Sequence, residues 1–411
     1  MSPAETVLTS TEGQRNLPPL FARIFAIIRQ IETGALEFEL PDGRVFRAEG
    51  AAPGQTGRMI VHNPRFFRRM AIGGELGFAE SYLDGDWSTP DLQAVLDVAI
   101  ENNQSVARAL PSNAFLTALD RFRHWLNRNT RRQARKNIEA HYDLGNAFYG
   151  LWLDPSMTYS AGLFEAEGES LEAAQRNKYR SICDRMGLRQ GDHVLEIGCG
   201  WGGFAEYAAR ERGARVTGLT ISPSQLAFAQ ERMQRQGLSD RVELKLQDYR
   251  DERGSYDGVA SIEMFEAVGE QYWPSFFATV RDRLKPGGQA SLQIITIADD
   301  LFERYRRRVD FIQKYIFPGG MLPSVAALRQ QTAQAGLEWG DALAFGAGYS
   351  NTLRRWRERF LEVWDEVQAL PTEKAAFDER FRRMWEFYLA ICAACFRAGT
   401  TDVVQLSLRR A

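Results

Sequence analysis

Residues 194–203 read VLEIGCGWGG, an apolar run that breaks into glycines at 198, 200, 202 and 203. Glycines placed between a strand and a helix let a ligand approach the backbone amides of the helix N-terminus. What binds there depends on the neighbouring side chains. A dinucleotide calls for an acid about 20 residues further on to meet its ribose hydroxyls. Here the second strand ends Gly218-Leu219-Thr220-Ile221-Ser222, which argues against NAD. Glu196, just before the first glycine, is placed to organise the turn and meet a cation. Gln247-Asp248-Tyr249, at the end of the third strand, offers polar and aromatic groups to an adenine. A ligand that is both cationic and adenine-bearing is S-adenosylmethionine.

The elements that must position these residues follow a βαβ rhythm from residue 193 onward. HVLEI leads into a helix to about Arg212, then RVTGLTI, a helix from Ser224 to Gln236, VELKLQD, YDGVASIEMF, a helix from 273 and LKPGGQASLQIITI. Such alternation predicts an α/β fold with an open, mostly parallel sheet. A charged insertion at 299–323 runs into YIFPGGMLPS, followed by helices and a closing strand at VVQLSLRR. Upstream, 22–31 has helical spacing and ALEFELPDGRVFRAEG alternates about a Pro-Asp-Gly turn. GELGFAESYLDGDW reads as turn-rich, and Ser88, Thr89 and Pro90 open a helix. The chain therefore divides into a small α+β domain over 1–110, a basic linker over 111–140 and an α/β domain over 141–411.

Lys plus Arg is 51 and Asp plus Glu is 53 in 411 residues, a balance that excludes a global nucleic-acid field. Locally, 121–136 (RFRHWLNRNTRRQARK) carries seven basic residues and no acid, with Phe122, Trp125 and Leu126 near one helix face. It suits anionic lipid head groups or a solvated linker helix equally well. Cys392 and Cys395 read as packed thiols rather than a metal or redox pair. His62, His124, His141 and His193 form no metal-ligand spacing, and there is no G-x-S-x-G nucleophile turn. With no basic apolar leader and no membrane-spanning run, the expectation is a cytoplasmic protein, peripheral on the inner face of the membrane at most.

VLEIGCGWGG together with VTGLTISPSQ resembles the cyclopropane fatty acid synthase family of S-adenosylmethionine-dependent lipid methyltransferases. Further blocks agree in order: HYDLGNAFYGLWLDPSMTYSAGLF, SLEAAQRNKY, LQDYRD, MFEAVG, YIFPGGMLPS and FGAGYSNTLRRWRERF. The resemblance runs from about residue 30 to the C-terminus, and GELGFAESYLDGDW is similar to the small leading domain of many members. It implies a Rossmann-like class I methyltransferase with a seven-stranded sheet. It also implies cofactor contacts from Tyr159, Ser160, Gly198, Gly200, Thr220, Gln225, Asp248 and Tyr249, with His141 fixing a loop over them. Read by themselves, Ser160 as only a turn cap and Tyr249 as only a packing residue are the lesser alternatives.

The implied reaction adds a methyl group to the double bond of a phospholipid acyl chain, giving a carbocation that must lose a proton. An apolar slot with aromatic walls suits it, and Tyr159, Trp201, Phe265, Tyr315, Phe317 and Tyr349 are the candidates. In the family the base is a bicarbonate ion held by a cysteine, a glutamate, a histidine, an isoleucine backbone and a tyrosine. Glu266, Ile295 and Tyr349 match three of these, whereas Ala161 and Gln293 stand at the cysteine and histidine positions. Either Gln293 helps retain bicarbonate, oriented by Glu266, or Glu266 is itself the base. The product is a cyclopropane or a methyl- or methylene-branched chain, from a monoene or a diene. An amine N-methyltransferase and a silent lipid-binding protein are the rivals. The expected partners are unsaturated phospholipid and the membrane surface, without nucleic acid, and a homodimer is left open.

Overall fold

In a computed structural model of the chain, residues 7–102, 144–371 and 376–410 are described. The basic stretch 121–136 and His141 lie outside the described residues.

Residues 7–102 build a five-stranded sheet of order β1-β3-β2-β4-β5 from β1 (Val7–Leu8), β2 (Thr33–Glu39), β3 (Val45–Glu49), β4 (Ala52–Val61) and β5 (Trp87–Ser88). β2 and β3 form the antiparallel hairpin that the Pro-Asp-Gly turn predicts. β4, which its glycines hid in the sequence, runs parallel to β2. Helix Phe21–Ile28 lays Phe21, Ile24, Phe25 and Ile28 on the sheet, where Phe21 meets Phe46 edge-on at 4.8 Å between centroids.

The stretch read as turn-rich is helical: helix Arg65–Leu83 runs through it, with a break at Gly74 (φ 53°, ψ −130°). Buried Phe66, Phe67, Met70, Tyr82 and Leu83 anchor both halves, so tertiary packing overrides the local glycine signal. The next helix starts at Leu92 rather than at Ser88, because Ser88 is held in β5 and the Asp91 side chain caps the helix, accepting from Ala94 N at 3.1 Å.

The second sheet has seven strands in the order β11-β12-β10-β9-β6-β7-β8. β6 (His193–Ile197), β7 (Arg215–Thr220), β8 (Val242–Leu246), β9 (Tyr256–Ile262) and β10 (Leu284–Ile297) are parallel, and β12 (Thr401–Arg410) lies antiparallel between β10 and β11 (Leu337–Ala344). The sheet is thus mostly parallel, as the βαβ rhythm predicts; β11 was not foreseen. Near-continuous apolar runs in β6, β7 and β9 match burial on both faces.

The N-terminal domain and the helices between β11 and β12 share one core. Helix Glu379–Arg397 packs on helix Leu92–Glu101, with Arg397 paired to the buried Asp97 at 2.7 Å and Gln93 Nε2 donating to Ala390 O. Phe148, Trp152, Trp356, Trp385 and Phe360 are fully buried nearby, and truncating such a ring costs roughly 3–5 kcal/mol. Among the described residues no helix is long and apolar enough to cross a membrane.

Candidate active site

The glycine turn joins the end of β6 to helix Gly203–Glu211. Gly198 sits at φ 85°, and a Cβ there would lie 2.7 Å from Met264 Cγ; Gly200 sits at φ 51° with open space around it. Left-handed backbone and room for a ligand are both what glycine provides. Glu196 is buried behind the turn with Oε2 unpartnered among the described residues. Burial raises its pKa to about 8 against the opposing pull of Lys178 and Arg232. An enclosed acid with an unused oxygen fits the ammonium of S-adenosylmethionine. Thr220 donates to Gln225 Oε1 at 3.1 Å where β7 meets its helix. Asp248 is bidentate with Arg250, at 2.8 and 2.5 Å, and Tyr249 packs edge-on to Phe276.

Tyr159, Ser160, Glu196, Gly198, Gly200, Thr220, Gln225, Asp248 and Tyr249 all line one cavity of about 670 Å³, as do Glu266, Ile295 and Tyr349. Gln293 is fully buried and stands behind that wall. Of the aromatic candidates, Tyr159, Trp201, Phe317 and Tyr349 line the cavity, whereas Phe265 is stacked on Trp273 in the core and Tyr315 turns outward to Glu80. The far end of the cavity is apolar and belongs to the N-terminal domain: Leu36, Phe38, Met59, Phe66, Met70 and Leu96. Over it, the insertion folds into helices Asp299–Tyr305 and Phe311–Tyr315, and Lys314 Nζ and Tyr315 Oη both donate to Glu80 at 2.7 Å.

One acid that the sequence reading did not single out occupies the centre. Glu263 follows the last residue of β9 at φ 48°, a left-handed conformation that is strained for a side chain of this size. Its Oε1 accepts from Ala161 N at 2.8 Å and Gln293 Nε2 at 2.7 Å, and its Oε2 from Tyr349 Oη at 2.6 Å. Sheet register supplies Gln293: it is the partner of Ile262 on β9 and of Gln405 on β12. Gln405 Nε2 donates to Gln293 Oε1 at 2.9 Å, while Ser181 Oγ donates to Gln405 Oε1 at 2.6 Å. With its oxygen so engaged, the Gln293 amide aims its NH₂ at Glu263.

Helix Leu171–Arg185, capped by Ser170, turns Gln175, Lys178 and Ser181 to this side at a spacing of three. Gln175 Nε2 donates to Ser160 O at 2.9 Å and Lys178 Nζ to Ser160 Oγ at 2.6 Å. Burial lowers the Lys178 pKa to about 7 against the pull of Glu263, Asp154 and Glu196.

Glu266, one short turn beyond Glu263, accepts from Ile295 N at 2.5 Å through Oε1, and its buried Oε2 is unpartnered among the described residues. Burial, then the charge of Glu263, raises its pKa to about 8. Burial also raises Glu263, but Lys178, Tyr349, Ala161 and Gln293 all pull it back. The donors around Glu263 favour its charged form, whereas Glu266 accepts from Ile295 N and has the charge of Glu263 against it. The sequence signal for Glu263 was available: an acid ending an apolar strand, three residues before Glu266 in SIEMFEAVG.

Residues 129–406 match the family model described as mycolic acid cyclopropane synthetase. Tuberculostearic acid methyltransferase UfaA1 of Mycobacterium tuberculosis is 42% identical over 373 residues, covering 88% of this chain and 86% of that protein. Cyclopropane-fatty-acyl-phospholipid synthase of Escherichia coli is 37% identical over 389 residues, covering 91% and 96%. The solved structure of the mycolic acid cyclopropane synthase CmaA1 complexed with SAH and CTAB superposes with a TM-score of 0.62 at 28% identity, over 67% of this chain and 98% of that one.

Proposed function

The chain belongs to the mycolic acid cyclopropane synthetase family, and from that membership we propose that it transfers a methyl group from S-adenosylmethionine to the double bond of an unsaturated phospholipid acyl chain. The observation that carries this reading is the continuity of one cavity from the glycine turn, past two enclosed carboxyls, to an apolar bore in the N-terminal domain. A bore of that lining accepts a hydrocarbon chain and has little to offer a small amine. The intact glycine turn and the buried acids speak against a silent lipid-binding protein.

When bound, S-adenosylmethionine supplies an electrophilic methyl group. Gly198 and Gly200 would leave its place open, Glu196 would meet its ammonium, and Thr220, Gln225, Asp248 and Tyr249 would surround the nucleoside. Tyr159, Phe317 and Tyr349 line the cavity and would face the chain carbon that becomes positive, an interaction of roughly 0.5–2 kcal/mol per ring. A carboxylate of the site removes the proton. Loss of that proton from the transferred methyl gives a cyclopropane or, after a hydride shift, a methylene branch; loss from the chain gives a methyl branch.

Delivery to the membrane rests on the basic, aromatic-bearing segment 121–136, whose composition suits anionic head groups. The test of the reading is mass spectrometry of acyl chains after the protein meets monoene and diene phospholipids with S-adenosylmethionine carrying a fully deuterated methyl. Retention of the whole label marks a methyl branch, and loss of one deuteron marks a ring or a methylene. No label in any lipid refutes the reading.

A further inference from the structure

We propose that the Glu263 carboxylate is the built-in proton acceptor of this enzyme and stands in place of an external anion, so that methyl transfer needs no bicarbonate. This inference rests on the lipid-methylating reading above. Its observation is the accounting of donors around the reacting end of the cavity. A bound anion of bicarbonate's shape calls for several converging hydrogen-bond donors. Ala161 N, Gln293 Nε2 and Tyr349 Oη converge as such a set would, and all three already serve Glu263, at 2.8, 2.7 and 2.6 Å. Ile295 N, the remaining donor, serves Glu266. The residues present therefore do not fit a bicarbonate ion, and the position is filled by a side chain of the same charge and the same planar two-oxygen acceptor.

Three further features agree. Glu263 adopts left-handed backbone, a conformation that a large side chain keeps only where its surroundings hold it. Gln293 is oriented by Gln405 and Ser181, so a relay of buried polar groups is devoted to donating to this one carboxylate. Oε2 accepts from Tyr349 alone among the described residues, which leaves an acceptor position on an oxygen of a residue that lines the cavity.

The step balances without a further reactant. The π pair of the alkene forms the new carbon–carbon bond to the methyl group, and the pair of the broken carbon–sulfur bond stays on sulfur. The carbocation in the chain then gives a proton to Glu263, and the pair of the broken C–H bond becomes the closing ring bond or a new double bond. Glu263 ends as the neutral acid and returns the proton to solvent before the next turnover.

The experiment uses the purified full chain in CO₂-depleted buffer, with and without added sodium bicarbonate. The expected result is a wild-type rate of label incorporation that is the same in both. Glu263→Gln, which keeps the shape and removes the base, is expected to lose at least ~100-fold. Glu263→Gly relieves the left-handed strain and empties the position; it is expected to lose as much and to regain at least ~10-fold on addition of bicarbonate or formate. A readout independent of turnover is the ¹³C line width of labelled bicarbonate, unchanged by wild type and broadened by Glu263→Gly. A wild-type rate that falls tenfold when bicarbonate is removed, or full activity in Glu263→Gln, overturns the proposal. Absence of label in every lipid with wild type sinks the lipid reading instead, and the ¹³C measurement still reports on the anion position.

Discussion

Tyr349→Phe isolates one hydrogen bond of the Glu263 shell. The variant deletes the hydroxyl that donates to Oε2 at 2.6 Å, while the ring stays packed on Phe396 at 4.4 Å between centroids. Burial holds the Tyr349 hydroxyl well above its ordinary pKa, so it remains a donor throughout the working range. A hydrogen bond to a charged group is worth about 1.5–3 kcal/mol, and about 1.4 kcal/mol corresponds to one pKa unit. The O–H favours the anionic form of Glu263, so its loss raises the Glu263 pKa by roughly one to two units. A proton acceptor works only when ionised: the rate is present above its pKa and is lost as pH falls through it. The acid limb of kcat/KM must therefore move to higher pH by about one to two units. Lys178, with a pKa of about 7, and Glu266, at about 8, face the same carboxylate and titrate nearby. The variant is accordingly read against wild type limb by limb. Initial rates of labelled methyl incorporation at limiting lipid supply the profile, and calorimetric S-adenosylmethionine affinity shows whether the cofactor end is disturbed. An acid limb that stays in place or moves to lower pH, with cofactor affinity intact, refutes the reasoning.

Other consequences follow from the same structure. Because the folded-state pKa of Glu196 is raised from 4.5 to about 8, its contribution to stability is full below 4.5 and lost as pH rises through 8. Glu196→Gln is thus expected to be more stable than wild type above that pH, by at most about 5 kcal/mol, with the gap closing toward pH 5, as thermal melts across pH would show. Gly198→Ala puts a Cβ at φ 85° and 2.7 Å from Met264 Cγ. It should lower S-adenosylmethionine affinity at least ~10-fold and stability by about 1–2 kcal/mol, checked by calorimetry and melting. Replacing Arg131, Arg132 and Arg135 with Gln should weaken sedimentation with anionic liposomes and flatten its salt dependence; binding indifferent to both would remove the electrostatic anchor.

The α/β order and the glycine turn were legible because strand, turn and helix each leave a strong local pattern, and β10 was readable over its whole length. β4 and β11 were not, since Pro53, Gly54 and Gly57 break the alternation of the one and Gly340 that of the other. Helix Arg65–Leu83 was hidden by Gly73 and Gly74, whose cost is met by Phe67 packing on Phe21 of the first helix and Phe78 on Phe387 of helix Glu379–Arg397. In the site, the residues read on the cofactor side line one cavity, and they were legible because they belong to contiguous blocks. Glu263 was missed although it stands beside one such block. Its importance arises from the register that brings Gln293 and Gln405 level with the end of β9, and from helix Gly346–Glu362 presenting Tyr349 across the cavity. No local pattern encodes a meeting of four separated segments.

The left-handed residue at the end of β9 also bears on how such a site changes over generations. Position 263 is one that glycine enters without strain, and glycine and glutamate codons can differ by a single base. The exchange is easy for the backbone and hard for the surroundings, because glycine at 263 leaves Ala161 N, Gln293 Nε2 and Tyr349 Oη without the acceptor they now share.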